Sequence, residues 1–501
     1  MKELFLFVRP PRPLWPFNGP ASAFWPPLAF ASLAAALRRA RADLGVEILD
    51  APALKMGWRS LEAAVRRARP AYVGIGEEAV SCAEGLRLAA LAKDLGARVI
   101  AGGCFFGNVA PEVLATGLVD VVVHGEGEET IVELVEALPS GRPEDLRRVA
   151  GISFSADRHV VSTGLRQPLA DLDRLPFPAY DLLPVDRYGR GSRNHPDFAA
   201  IELGRGCPCG CDFCVLWRQM GQFRGSTPTP YLRAKSPERL LDEIRVLTEK
   251  HGRRYLGWVD PCFNADPSAP RQLAEMLLRN DLRLGQSAWV RADCLVRDES
   301  SGALRPCVEA GLNEVYIGIE RPDEAGLRAL GKAGPLGQVR QAFRILSSDY
   351  PQVFTVGSFV YGLPGDTAAT IRAMWLLAHE LDLDMAFYIP LTPLPGTPYW
   401  RPELWEPTGA VFRRFDFLPR VDGDPLMASL TWALYRCFAL SWPLARFRWL
   451  LRGLCARNAR RRSIIRRHAL RGLRLSAVGI GQALFQNGNS GAMRYPSWYD
   501  S

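Results

Sequence analysis

The chain has 501 residues, 48% hydrophobic and 10% aromatic, with 62 Lys and Arg against 53 Asp and Glu for a net charge of +9. That profile belongs to a globular protein of two or three domains and excludes a disordered chain, a collagen or a small disulfide scaffold. The opening MKELFLFVRPPRPLWP lacks a basic region leading into an apolar core and a small-residue cleavage site, so a cytoplasmic protein is expected. The uncharged stretch 13–37 is interrupted by Pro13, Pro16, Pro20, Pro26 and Pro27, so it cannot be one hydrogen-bonded spanning helix.

From residue 3 to about residue 138 short apolar runs alternate with helical patterns: LFLFV at 4–8, VEILDA at 46–51, AYVGIG at 71–76, ARVIAGG at 97–103 and VDVVVHGEGE at 119–128. Intervening segments such as PPLAFASLAAALRRA repeat apolar residues every three or four positions. This pattern predicts an α/β fold opening with a doubly wound, Rossmann-like parallel sheet over residues 1–140. Ligands of such sheets sit beyond the carboxyl ends of the strands, where this chain carries Gly76-Glu77-Glu78, Gly102-Gly103 and Gly125-Glu126-Gly127-Glu128. After the first strand the chain reads Arg9-Pro10-Pro11-Arg12-Pro13, not the dinucleotide fingerprint, so a nicotinamide domain is not expected.

A connector over 141–194 contains a hairpin pattern at 151–164 and a proline-rich run at 172–184. Six strand patterns follow: AAIEL at 199–203, YLGWVD at 255–260, LGQSAWVRA at 284–292, EVYIGIE at 314–320, FTVGSFVYG at 354–362 and MAFYIPLT at 385–392. With helices between them they predict a partial (β/α)6 TIM-like barrel over 195–400, with chemistry at the carboxyl ends of its strands. Residues 401–501 read as helices rich in Trp, Phe and Arg. The stretch 425–499 holds thirteen arginines, no lysine and no acidic residue, so the rest of the chain sums to −4. That tail is read as a helical cap over the barrel, a peripheral membrane surface for anionic lipid, or a clamp for substrate carboxylates or phosphates. No recognition module accompanies its charge, so nucleic acid is not an expected partner.

Seven of the eleven cysteines (Cys82, Cys104, Cys262, Cys294, Cys307, Cys437 and Cys455) are scattered and read as small buried hydrophobes. The other four form Cys207-Pro-Cys209-Gly-Cys211-Asp-Phe-Cys214, directly after the first barrel strand. Cys207, Cys211 and Cys214, at CxxxCxxC spacing, can meet three corners of an iron-sulfur cube and leave the fourth iron open. Zinc is the competing reading, but structural zinc wants a closed set of four, and Cys209 would be strained as the fourth.

On these residues the sequence resembles the radical S-adenosylmethionine superfamily. GRGCPCGCDFC at 204–214 looks like its cluster loop, and AGLNEVYIGIE at 310–320, YGLPGDT at 361–367 and LTPLPGTPYW at 391–400 follow in order. The resemblance covers about residues 170–400. It implies that Cys207, Cys211 and Cys214 are the catalytic metal ligands of a [4Fe-4S] cluster, and that S-adenosylmethionine chelates the open iron and yields a 5′-deoxyadenosyl radical. It implies that Phe213 packs beside the adenine and that Asp260, Arg291 and Glu320 contact the methionine and ribose portions. Relatives often carry a second acidic residue after the one at Asp260; here that position is Pro261.

The amino-terminal segments, VIAGGCFFG and VDVVVHGEGEETIVELVEAL among them, look like the cobalamin-binding domain of one branch of that superfamily. The motif DxHxxG is absent, and none of the six histidines, His124 included, stands in its spacing. The resemblance therefore implies cobalamin held without a histidine from that motif, with Gly76, Glu77 and Glu78 facing the lower side of the corrin. Gly102, Gly103, Gly125, Glu126 and Gly127 would line its nucleotide tail. Methylthiolating relatives place three further cysteines in this domain, whereas here it has only Cys82 and Cys104.

The activity implied most directly is methylation of an unactivated carbon, or of phosphorus, in a small-molecule, lipid-like or tetrapyrrole substrate, with electrons from an external donor such as flavodoxin or ferredoxin. Oxidation, ring closure or rearrangement with the same parts is the alternative. A cobalamin-binding regulator with a structural cluster is the reading from another class.

Overall fold

Alternation along the first strand, Leu4–Arg9 (β1), sends Phe5 and Phe7 to one face of a sheet and Leu6 and Val8 to the other. In this computed structural model β1 pairs in parallel with Gly45–Asp50 (β2) and Tyr72–Ile75 (β3), and the sheet continues in parallel through Arg98–Ala101 (β4) to Val121–Val123 (β5). Both faces are covered. Leu28–Ala40 (α1) packs Phe30, Ala34 and Leu37 on the Phe5/Phe7 side, while Trp58–Ala68 (α2) packs Trp58, Leu61 and Val65 on the Leu6/Val8 side, joined there by Cys82–Asp94 (α3). This is the doubly wound arrangement expected from the repeat. The hairpin read within the connector forms as Ile152–Ala156 (β6) and His159–Ser162 (β7), and it extends the same sheet by pairing antiparallel with β5.

The described residues are 2–14, 19–20, 25–76, 81–189, 195, 197–332, 334–401 and 499–501. Glu77 and Glu78, Cys437 and Cys455, and the arginine-rich tail up to residue 498 lie outside them. Among the described residues no helix is long and apolar enough to cross a membrane.

All six barrel strands form at the expected places: Phe198–Ile201 (β8), Tyr255–Trp258 (β11), Gly285–Val290 (β12), Leu312–Glu320 (β13), Phe354–Tyr361 (β14) and Met385–Pro390 (β15), adjacent in that order and parallel throughout. Between β8 and β11 the chain inserts an antiparallel pair, Gly204–Cys207 (β9) with Tyr231–Ala234 (β10). Helices start on local signals. Ser236 accepts the Arg239 amide at the head of Pro237–Arg245 (α5), with Pro237 at the first helical position. The barrel core includes Ile201, Leu256, Trp258, Ile317, Ile319 and Phe359, each under 1% exposed. Such burial contributes about 1.5–3 kcal/mol per side chain.

Tyr499 at the far end of the chain joins the core of the first domain. It is 3% exposed, its carbonyl accepts the Trp58 amide at 2.8 Å, and its hydroxyl donates to buried Glu84 of α3 at 2.8 Å.

Candidate active site

The cysteine loop leaves the barrel through β9. A Cβ on Gly206, where φ is +91°, would stand 1.8 Å from the Tyr231 carbonyl oxygen, so glycine is what lets β9 and β10 approach. Asp260, just past the end of β11, accepts the amides of Leu203 at 3.0 Å and Gly204 at 2.6 Å. Burial pushes its carboxyl up to about 7, against those two amides, which favour the charged form. Asp260 therefore holds the strand that delivers Cys207.

Further along the loop the Asp212 amide donates to the Leu330 carbonyl at 2.9 Å and the Trp217 indole donates to the Cys211 carbonyl at 2.8 Å. Phe213 packs against the cluster of Leu330, Val360 and Leu363. Burial pushes the Cys211 thiol up to about 11, against the charges of Lys332 and Arg291, and also raises Cys214. The Cys207 thiol hydrogen-bonds to Cys209, which raises Cys207 and lowers Cys209 to about 6.

Among the described residues no three His, Cys, Asp or Glu side chains close on one point as ligands of a single metal ion. Three thiols on one short, pinned loop fit an iron-sulfur cube, which offers each a different iron. The partly exposed Cys207 and Cys214 flank the buried Cys211.

Arg291 lies just past β12 and makes a two-pronged pair with Asp293 at 3.0 and 2.8 Å. Glu320 ends β13 with φ of +65°, and its carboxylate accepts from Lys332 at 2.9 Å. Asp260, Arg291 and Glu320 therefore stand at the ends of three adjacent strands, on the side of the barrel from which the cysteine loop springs.

In the first domain Gly76 is exposed at the end of β3, and Gly102 and Gly103 follow β4 half-buried. A Cβ on Gly103, at φ +84°, would lie 3.5 Å from the Gly76 backbone. Two neighbouring strand ends thus meet backbone to backbone, and Gly76, Gly102 and Gly103 themselves add no side chain to this ledge, which suits the approach of a large flat cofactor. Next along the sheet, Gly125 has φ of +68° and approaches the Gln219 carbonyl, while Gly127 faces Leu33. The Glu126 carboxylate is taken up by Arg233 and the Leu169 amide. His124 has both ring nitrogens engaged, with the Gly107 carbonyl and the Ser153 hydroxyl, each at 2.8 Å. It is not disposed as a cobalt ligand.

Sequence reasoning missed several groups that build this region. Arg205 and Arg233 reach the first domain, and Lys332 reaches Glu320. Arg321 forms a buried pair with Asp366, which also accepts the amides of Gly362 and Leu363 at 2.8 and 3.1 Å. Asp366 belongs to YGLPGDT, so its importance was signalled, but its partner 45 residues earlier was not. Of the scattered cysteines expected to be buried, Cys82, Cys262 and Cys307 are, with the Cys262 thiol near the Asn264 side-chain oxygen at 3.6 Å, whereas Cys104 and Cys294 are only half-buried.

Comparison with known proteins agrees with this arrangement. The profile of the Radical SAM superfamily matches residues 201–377, and that of the B12 binding domain matches residues 17–135. An uncharacterized methyltransferase of Pyrococcus horikoshii is 28% identical over 75% of this chain and 78% of its own length. The anaerobic magnesium-protoporphyrin IX monomethyl ester cyclase of Rubrivivax gelatinosus is 28% identical over 78% of this chain and 68% of its own length. Among solved structures, the cobalamin-dependent S-adenosylmethionine radical enzyme OxsB superposes with a TM-score of 0.64 at 16% identity, covering 95% of this chain and 72% of OxsB. The radical S-adenosylmethionine methyltransferase TsrM of Kitasatospora setae gives 0.61 at 20% identity, over 79% of this chain and 75% of TsrM. At such identity these two structures show a shared fold. With a cluster loop at the barrel end, glycines at the strand ends of a doubly wound sheet and both family profiles in place, the chain belongs to the cobalamin-binding-domain radical S-adenosylmethionine enzymes, whose cofactors are a [4Fe-4S] cluster, S-adenosylmethionine and cobalamin.

Proposed function

We propose that the protein is a methyltransferase acting on an unactivated carbon, or on phosphorus, of a small-molecule, lipid-like or tetrapyrrole substrate. The observation that carries this reading is the direct joining of the two cofactor-bearing ends: the segment after β5 is bonded through Glu126 and Glu128 to Arg233 and Arg205 of the antiparallel pair that delivers Cys207. When bound, the cluster and S-adenosylmethionine supply hydrogen abstraction from the substrate and cobalamin supplies the methyl group. The chain's own part is to hold the components. Cys207, Cys211 and Cys214 bind the cluster. Phe213 offers a face for the adenine, and Asp260, Arg291 and Glu320 shape the S-adenosylmethionine end of the barrel. Gly76, Gly102, Gly103, Gly125 and Gly127 let the corrin and its tail approach the backbone. An external donor such as flavodoxin or ferredoxin supplies the electron.

The substrate class is supported by relatives named as a hopanoid C-3 methylase of Methylococcus capsulatus and as magnesium-protoporphyrin cyclases. The cyclases also support a second reading, ring closure or oxidation without methyl transfer. To separate the two, the protein is reconstituted anaerobically with iron, sulfide and cobalamin, then given reductant, S-adenosylmethionine and a cell extract. 5′-Deoxyadenosine and S-adenosylhomocysteine rising together with a methylated metabolite is the expected result. 5′-Deoxyadenosine without S-adenosylhomocysteine, alongside an oxidised or cyclised metabolite, supports the second reading, and neither product rising counts against both.

A further inference from the structure

Arg205 and Arg233 stand directly opposite each other across the β9–β10 pair, an arrangement that two like charges disfavour. Both are nearly buried, at 8% and 5% exposure. What makes the juxtaposition stable comes from the other domain. Glu126 accepts from Arg233 through both oxygens, at 2.5 and 3.0 Å, and lies 3.6 Å from Arg205. Glu128, the first residue of the helix Glu128–Ala137 (α4), accepts from Arg205 at 2.6 Å, and Glu202 of the barrel lies 3.1 Å from the same guanidinium. Arg233 also donates to the carbonyls of Leu169 and Met220, at 2.7 and 3.2 Å.

Buried ion pairs are a poor means of gluing two surfaces together, because desolvation offsets much of their attraction and an apolar contact does as well. Their advantage is register: a two-pronged guanidinium–carboxylate pair is satisfied in one relative placement. Here that placement joins two particular points. Arg205 lies two residues before Cys207, and Glu126 lies in the loop where the β5 end meets the cofactor ledge.

We propose that Glu126 and Glu128 with Arg205 and Arg233 are positioning residues that set the distance between cobalamin and the iron-sulfur cluster. This rests on the reading that cobalamin binds at the carboxyl ends of β3, β4 and β5. The cluster of charges, not a hinge or linker, then holds the two reaction centres at a working separation over one substrate.

The test measures that separation on the reconstituted holoenzyme, by pulsed electron paramagnetic resonance between cob(II)alamin and the one-electron-reduced cluster. Wild type is expected to give one narrow distance. In Glu126→Gln and in Arg233→Lys, which keeps the charge but not the fork, cofactor stoichiometry and the separate spectra should stay as in wild type. The distance distribution should broaden or shift by about 1 Å, a misplacement large enough to matter for reaction. Glu128→Gln, which removes the charge that Arg205 pairs with, should broaden it likewise, and it serves where a variant at Glu126 or Arg233 does not fold. An unchanged distribution in the variants with both cofactors bound overturns the proposal and leaves the functional reading intact. A wild-type protein that takes up its cluster but shows no cobalamin signal overturns both.

Discussion

Asp260 accepts the Gly204 amide at 2.6 Å, so the carboxylate at the end of the second barrel strand holds the first residue of the strand that carries Cys207. Its carboxyl titrates at about 7 when folded, against an ordinary 3.8, because burial outweighs the amides it accepts from. The folded state therefore keeps a proton that the unfolded state has released. Stability from this group is complete below the ordinary value and is lost as pH rises through 7, a change of about 4 kcal/mol in all. Guanidinium melts of wild type should show this fall between about pH 4 and about pH 7, and Asp260→Asn should flatten it.

The cluster ligands separate cleanly from their neighbour. Cys207→Ala, Cys211→Ala and Cys214→Ala should each abolish the brown iron-sulfur absorbance after reconstitution and the formation of 5′-deoxyadenosine. Cys209→Ser should keep both, because Cys209 is not one of the three proposed ligands and a serine hydroxyl can still hydrogen-bond Cys207. Loss of iron from the Cys209→Ser protein would return a four-thiol site to consideration.

Gly103→Val tests the ledge. The residue sits at φ +84° with the Gly76 backbone 3.5 Å from where a Cβ would stand. A side chain there costs about 1–2 kcal/mol in the left-handed conformation and covers the ledge. The visible spectrum should show cobalamin uptake reduced at least severalfold, while cluster loading stays at the wild-type level.

Arg321 and Asp366 tie the ends of β13 and β14 together, at 4% and 6% exposure. Arg321→Met alone leaves a buried carboxylate without its cation and should destabilise the barrel by about 3–5 kcal/mol. Replacing both residues with apolar ones should cost less than the sum of the single changes, as a double-mutant cycle of denaturant midpoints would record.

Tyr499 spans 415 residues to reach Glu84, with its ring edge-on to Trp58 at 6.2 Å. Tyr499→Phe keeps the ring and should cost about 1.5–3 kcal/mol, as hydrogen bonds to charged groups do. Tyr499→Ala should cost about 3–5 kcal/mol by emptying a core position. Differential scanning calorimetry of the two variants reads both losses.

Much of this protein is written in short-range pattern. Short apolar runs flanked by helical repeats determined eleven parallel strands, five on the first sheet and six on the barrel, because an apolar run and a helical period are local properties of the chain. The loop from Gly204 to Cys214 determined the iron-sulfur chemistry, since all three thiols lie within eight residues. What the tertiary structure alone decided is which charges meet. Nothing in the order of residues pairs Glu126 with Arg233, 107 positions away, or Glu128 with Arg205, 77 away. The GEGE segment reads equally well as a cofactor loop until the barrel is packed against it. The hairpin after residue 151 likewise reads as connector until its hydrogen bonds find the edge of β5. Periodicity is set between neighbours along the chain, but a buried charge is satisfied only by whatever folding brings beside it, and that is settled when the two domains close on each other.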